Sequence, residues 1–163
     1  MTVRRLKEIH KKFLLDIIFL METKNSDKVV FEKMEGLNFT SSCLISPQGH
    51  GGGGLALFWK SELEINVLSS SQNFIDTSIK IKGKNFFATF VYGDPEKSNR
   101  KLVWQILTGL ATAPNSPWYL TGDFIEIIDN SEKEGGPQRA EGLIEHLAIV
   151  HGLKRSQEED VNI

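Results

Sequence analysis

Two periods of apolar residues run through the chain. Val3, Leu6, Ile9 and Phe13 recur at helical spacing and predict a helix over residues 2–12, with Thr2 as its N-cap. Residues 14–20 are continuously apolar except for Asp16, which suits a strand buried on both faces that delivers Glu22. A second helix is expected over residues 26–34, with Ser26 as cap, Val29, Val30 and Met34 as its apolar side, and Gly36 as its stop. Residues 39–45 and 55–59 read as strands on either side of a glycine-rich turn, residues 47–54. The period then shortens to two. Ile75, Thr77, Ile79 and Ile81 alternate with polar partners, so residues 74–81 form a strand with one buried face, flanked by strands over 64–68 and 85–92. Residues 82–85 make the hairpin turn.

Helical spacing returns over residues 98–111. Leu102, Val103, Ile106, Leu107 and Leu110 form the expected buried stripe, and Trp104 lies off its centre. Pro114 and Pro117 end this helix and lead into an apolar run from Trp118 that finishes in Gly122-Asp123, a buried strand presenting a carboxylate at the sheet edge. Residues 131–140 read as a charged loop, 141–150 as a last helix and 156–163 as a polar tail. Helices set between groups of strands imply an α/β layered sandwich with a mixed sheet, one domain over residues 1–155.

Composition narrows the chemistry. The chain has 163 residues and a net charge of −2 from 19 basic and 21 acidic side chains, so no basic excess advertises nucleic acid. Cys43 is the one cysteine, which excludes an internal disulfide and zinc-type spacing and fits a reducing compartment, nucleus or cytoplasm. No apolar run reaches the roughly 18 residues that cross a bilayer. The basic start (Arg4, Arg5, Lys7, Lys11, Lys12) is amphipathic, unlike a signal peptide's apolar core. The glycines at 49 and 51–54 lack the Lys-Ser/Thr and the strand-to-helix setting of a phosphate loop, and His50 reads as an exposed loop residue.

Three apolar runs end in polar groups: at Glu22-Thr23-Lys24, at Val91-Tyr92-Gly93-Asp94-Pro95, and at Gly122-Asp123. Glycine before an acid lets the backbone bend sharply or approach a neighbour closely, and a strand-end carboxylate suits a hard cation with oxygen ligands. Taken singly, each has a plainer reading. Glu22 pairs with Lys24 or Arg4, Tyr92 is a strand-end core ring, and Asp123 caps a turn.

In this order the three motifs resemble the endonuclease/exonuclease/phosphatase superfamily, the DNase I-like fold. The chain looks most like the endonuclease domain of plant LINE-type retrotransposons, over residues 2–142. The resemblance implies a Mg²⁺-dependent phosphodiesterase acting on DNA. Glu22 would be a metal ligand, Asp123 would activate or position water, and Tyr92 would hold the scissile phosphate. Two departures accompany it. Ile125 stands where the family has Asn and brings no amide donor. The family's first strand, with its own Asn, and its C-terminal half, with a late Asp and a Ser-Asp-His ending, have no counterpart, and none of His10, His50, His146 or His151 lies in a Ser-Asp-His context. The expectation is an incomplete domain, inactive or very weak alone, with a non-catalytic nucleic-acid or protein-binding remnant as the alternative and a phosphatase or sugar-nucleotide hydrolase third. A half-sandwich would also expose an apolar sheet face and favour self-association.

Overall fold

The computed structural model describes residues 3–48, 53–111 and 117–125. Its elements follow in chain order: α1 (Val3–Phe13), β1 (Ile17–Met21), α2 (Asp27–Met34), β2 (Ser41–Ile45), β3 (Leu55–Trp59), β4 (Glu64–Ser70), β5 (Phe74–Ile81), β6 (Lys84–Tyr92), α3 (Lys97–Ala111) and β7 (Trp118–Asp123). The order is the one the periodicity predicts. The charged loop, last helix and tail read at 131–163, together with the Thr2 cap, His50, His146 and His151, lie outside the described residues.

Two sheets face each other. The first has strand order β1-β3-β2 and is antiparallel throughout. The second has order β4-β5-β6-β7, antiparallel except where β7 runs parallel to β6 after the α3 crossover. Leu55 and Leu57 of β3 meet Ile75 and Ile79 of β5 and Phe90 of β6 between the sheets. Phe19 of β1 packs on Phe90 with ring centroids 5.4 Å apart, which sets β1 above β6. α1 and α2 cover the outer face of the first sheet through Leu6, Val30 and Met34 against Ile18 and Phe58. α3 covers the outer face of the second through Val103, Trp104 and Leu107 against Phe74 and Val91. The result is a helix–sheet–sheet–helix sandwich.

The facing sheets correct one expectation. Parts of both are present, so the shared faces bury each other and, among the described residues, no whole apolar sheet face is bare; Leu57 and Ile75 are completely buried. What remains open is local. Tyr119 of β7 meets Phe86 edge-on at 5.6 Å yet stays 54% exposed.

Three further readings are corrected. The strand read at 14–20 is Ile17–Met21, and only Ile18 of it is buried. Leu14 adopts φ +50° and is exposed, because it closes the end of α1, its N–H donating to the His10 carbonyl at 2.8 Å. Among the described residues the Gly-Asp strand is a half-exposed edge rather than a buried one. On α3 the buried stripe is turned toward Trp104, which is buried and stacks on Phe124 at 5.6 Å and 11°, while Leu102 and Ile106 face out.

Polar groups also tie the second sheet together. Trp118 Nε1 donates to Thr89 Oγ1 at 2.8 Å, and Thr89 Oγ1 donates to Asp76 Oδ1 at 2.6 Å, linking β7, β6 and β5 beneath α3. Burial pushes the Asp76 carboxyl up, and the Thr89 hydroxyl opposes that shift.

Candidate functional site

β1 ends at Met21, and the chain then turns through two left-handed residues, Glu22 at φ +51° and Lys24 at φ +52°. Side chains pay a steric penalty there, so neighbours must hold the turn in place. They do so through the backbone: Thr23 N–H donates to the Gly54 carbonyl and Lys24 N–H to the Gly53 carbonyl, both at 3.1 Å. Gly54 is required for this approach. A Cβ there would lie 2.3 Å from Thr23 Oγ1 and 3.1 Å from Pro47 Cδ, on a backbone at φ +86°.

The turn aims Glu22 at the other sheet. Tyr92, the last residue of β6, donates its phenol to Glu22 Oε1 at 2.5 Å. Lys24 Nζ lies 3.1 Å from Glu22 Oε2. The Tyr92 hydrogen bond, then Lys24, hold the Glu22 carboxyl below its usual range. Burial, then the hydrogen bond to Glu22, push the Tyr92 phenol up to about 12, and the charges of Asp123 and Asp94 add to this. Tyr92 is therefore a neutral donor at any physiological pH.

Asp123 reaches the same end of the sandwich on β7. It is the parallel register partner of Tyr92, and its carbonyl accepts Gly93 N–H at 2.7 Å. The glycine before it serves close approach, as its position suggests, but to a strand. A Cβ on Gly122 would fall 1.9 Å from the Val91 carbonyl oxygen. Asp123 Oδ1 accepts Ile125 N–H at 2.9 Å, so the carboxylate also caps the turn that follows. Ile125 sits in that turn at φ +53°, a conformation that suits Asn far better than a β-branched side chain.

The three residues singled out in the sequence thus converge, and the plainer readings hold beside them, Tyr92 being a buried ring at a strand end. Glu22 does pair with Lys24, and Asp123 does cap a turn. Arg4 bonds Glu8 instead of Glu22. Tyr92's hydroxyl does not end in solvent. The sequence pattern did not announce Asn73, in the turn between β4 and β5, whose Nδ2 donates to the Tyr92 carbonyl at 3.1 Å. Asp94 stood in the second of the three motifs without a role of its own. Its carboxylate accepts Glu96 N–H at 2.8 Å and Asn99 Nδ2 at 3.3 Å, and its carbonyl accepts Arg100 Nε at 2.8 Å, which fixes the start of α3 beside the site. An Asp-Pro pair just before a helix was the available signal for Asp94.

Among the described residues no three His, Cys, Asp or Glu side chains gather as a metal cage. Mg²⁺ is commonly held by one or two carboxylates, with waters and substrate phosphate filling the rest. Glu22, half exposed at the mouth of the site, fits that single-carboxylate mode, with the Lys24 ammonium as a competitor for the same oxygen.

Residues 2–124 match the Endonuclease/Exonuclease/phosphatase family, and the chain belongs to it. Among solved structures, an AP endonuclease from Archaeoglobus fulgidus superposes with a TM-score of 0.65 at 15% identity, over 93% of this chain and 65% of that one. A truncated Caenorhabditis elegans TDP2 matches with a TM-score of 0.54 at 15% identity, over 83% and 58%. The 3′ phosphatase NExo from Neisseria, bound to a product DNA hairpin, matches with a TM-score of 0.54 at 11% identity, over 93% and 65%. At these identities the likeness is one of fold, and the chain spans about three-fifths of each neighbour's length. No curated protein matches it by sequence. No helix among the described residues is long and apolar enough to cross a membrane.

Proposed function

We propose that the chain carries the front part of a phosphodiester-hydrolysing site, acts on DNA, and works very weakly by itself. The observation that carries this reading is the meeting of Glu22, Tyr92 and Asp123 from both sheets at one end of the sandwich. In it, Glu22 is the ligand for a divalent ion, Mg²⁺ by the family's habit. When bound, the ion would offset charge developing on the phosphoryl oxygens. Tyr92, kept protonated, donates a hydrogen bond to a nonbridging phosphate oxygen or to Glu22. Asp123, exposed at the edge of β7, accepts a proton from or orients the attacking water.

The weakness follows from Ile125. An amide at that position would add a donor toward the phosphate, and loss of one such donor costs about 10²–10³ in rate in other enzymes. The wording of the three motifs supports an origin in a plant LINE-type retroelement. The same Ile125 favours a second reading, a non-catalytic nucleic-acid-binding scaffold, against which the net charge of −2 weighs.

Supercoiled-plasmid nicking separates the two. Slow nicking with Mg²⁺, abolished by EDTA and by Glu22→Gln, is the expected result. Folded protein with no nicking, but with salt-dependent retention on DNA, would favour the scaffold.

A further inference from the structure

The turn between β4 and β5, residues 71–73, is bonded to Tyr92 and borders the glycine segment that holds the turn carrying Glu22. On the Tyr92 side, Asn73 takes both backbone groups of one residue. Its carbonyl accepts Tyr92 N–H at 2.7 Å, and its Nδ2 donates to the Tyr92 carbonyl at 3.1 Å. The β5–β6 ladder starts at Phe74 opposite Val91, so Tyr92 has no opposite residue in β5 and depends on the turn instead. The turn is itself fixed: Asn73 N–H donates to Ser71 Oγ at 3.1 Å, and Ser71 N–H donates to the Phe74 carbonyl at 2.9 Å.

On the Glu22 side, Gln72 Nε2 donates to the Ser46 carbonyl at 3.1 Å, and Ser46 Oγ donates to Asp27 Oδ1 at 2.7 Å. A Cβ on Gly53 would lie 3.8 Å from Gln72 Oε1, so this side chain borders the glycine segment whose carbonyls hold Thr23 and Lys24. The turn thus lies between the Tyr92 backbone, which it bonds, and the glycine segment that holds the strained turn carrying Glu22, which it borders.

We propose that Asn73 is a positioning residue for this site. Its side-chain amide fixes the backbone of Tyr92 so that the phenol, at the end of a long lever, meets Glu22 and a bound phosphate. Misplacement by about 1 Å can cost on the order of 10²-fold in rate, so small rotations of Tyr92 matter. The inference rests on the reading of Glu22 and Tyr92 as one site, and its test needs no activity.

The chain has two tyrosines, Tyr92 and Tyr119, so ring-labelled ¹³C-tyrosine NMR gives two signals, and Tyr119→Phe assigns them. The quantity read is the change in the Tyr92 Cζ resonance caused by Glu22→Gln, measured with Asn73 present and with Asn73→Ala. The expected result is a clear response in the parent, reduced severalfold in N73A, while β5 and β6 amides keep their exchange protection. Asn73→Asp, which replaces the donor by an acceptor facing the same carbonyl, should reduce it equally. A folded N73A or N73D with the full response overturns the inference. Failure of both variants to fold also overturns it, because Asn73 would then be holding the sheet and not the ring. No response in the parent would instead remove the Glu22–Tyr92 contact, and with it the proposed site.

Discussion

β3 and β7 are the opposite extremes of the sandwich. All five residues of β3 are buried, from 0% exposure at Ala56 and Leu57 to 8% at Trp59, and none carries charge or a polar group beyond the Trp59 indole. β7 alternates half-buried with exposed residues and ends in a charge. β1, which leads to Glu22, is also an edge strand. Stability and chemistry meet at Tyr92, a 5% exposed core ring at the end of the internal strand β6. The central strands hold the fold, and the edges present Glu22 and Asp123.

That contrast can be broken from its centre outward. Leu57→Ala should be the costliest change, about 3 kcal/mol within the usual 2–5 range for a fully buried Leu, read as a lowered denaturation midpoint. A smaller loss than from Met21→Ala at the edge would refute the division. Gly122→Ala forces a Cβ into the Val91 carbonyl and should cost about 2 kcal/mol or more, on the scale of strained backbone. Hydrogen exchange should show the loss confined to β7, with β3 and β5 still protected. If β3 opened as well, the edge would be integral to the core.

Tyr92→Phe removes one hydrogen bond and should cost about 1 kcal/mol. It also removes a pH dependence. A phenol raised to about 12 in the folded state stays protonated there while the unfolded phenol ionises near its ordinary value. Stability is therefore complete below pH about 10 and falls as pH rises toward 12. Urea titrations across that window should show the slope in the parent and a flatter one in the variant. The smallest effect is expected from Ile125→Asn. Relief of a left-handed β-branched residue, partly offset by lost apolar packing, should leave a net stabilisation under about 1 kcal/mol. A clear destabilisation would mean that the Ile125 contact with the core outweighs its strain.

The fold was legible where one period governed a long stretch. Residues 74–81 alternate cleanly and form β5 with the expected bounds. The α3 helix is found to within one residue of its expected start, and Val103, Leu107 and Leu110 of its expected stripe face the sheet, but Leu102 and Ile106, which are as apolar, face out. Packing of Val103, Trp104 and Leu107 on Phe74 and Val91, with Trp104 stacked on Phe124 20 positions away, decides the rotation. Edge position was equally hidden. An apolar run such as residues 17–21 looks the same with one neighbour as with two.

At the site, Glu22, Tyr92 and Asp123 stand at the ends of apolar runs, where a reader of sequence would look. Asn73 belongs to a turn of small polar residues whose meaning lies in its contact with Tyr92, 19 positions away. The left-handed backbone at Glu22, Lys24 and Ile125 goes against residue preference and leaves no trace in the pattern.

The α3 crossover has a consequence in time. β4, β5 and β6 are joined by short turns and pair with their sequence neighbours, so their contacts close small loops. β7 must wait for the helix between Lys97 and Ala111 before it can lie alongside β6. Longer loop closure delays pairing, so β7 is expected to dock after the main folding barrier. Substitutions in it should then accelerate unfolding and leave the folding rate nearly unchanged. β1 pairs with β3 across a still longer stretch, Met21 against Leu55 and Ile17 against Trp59, so Glu22 and Asp123 would both arrive after Tyr92.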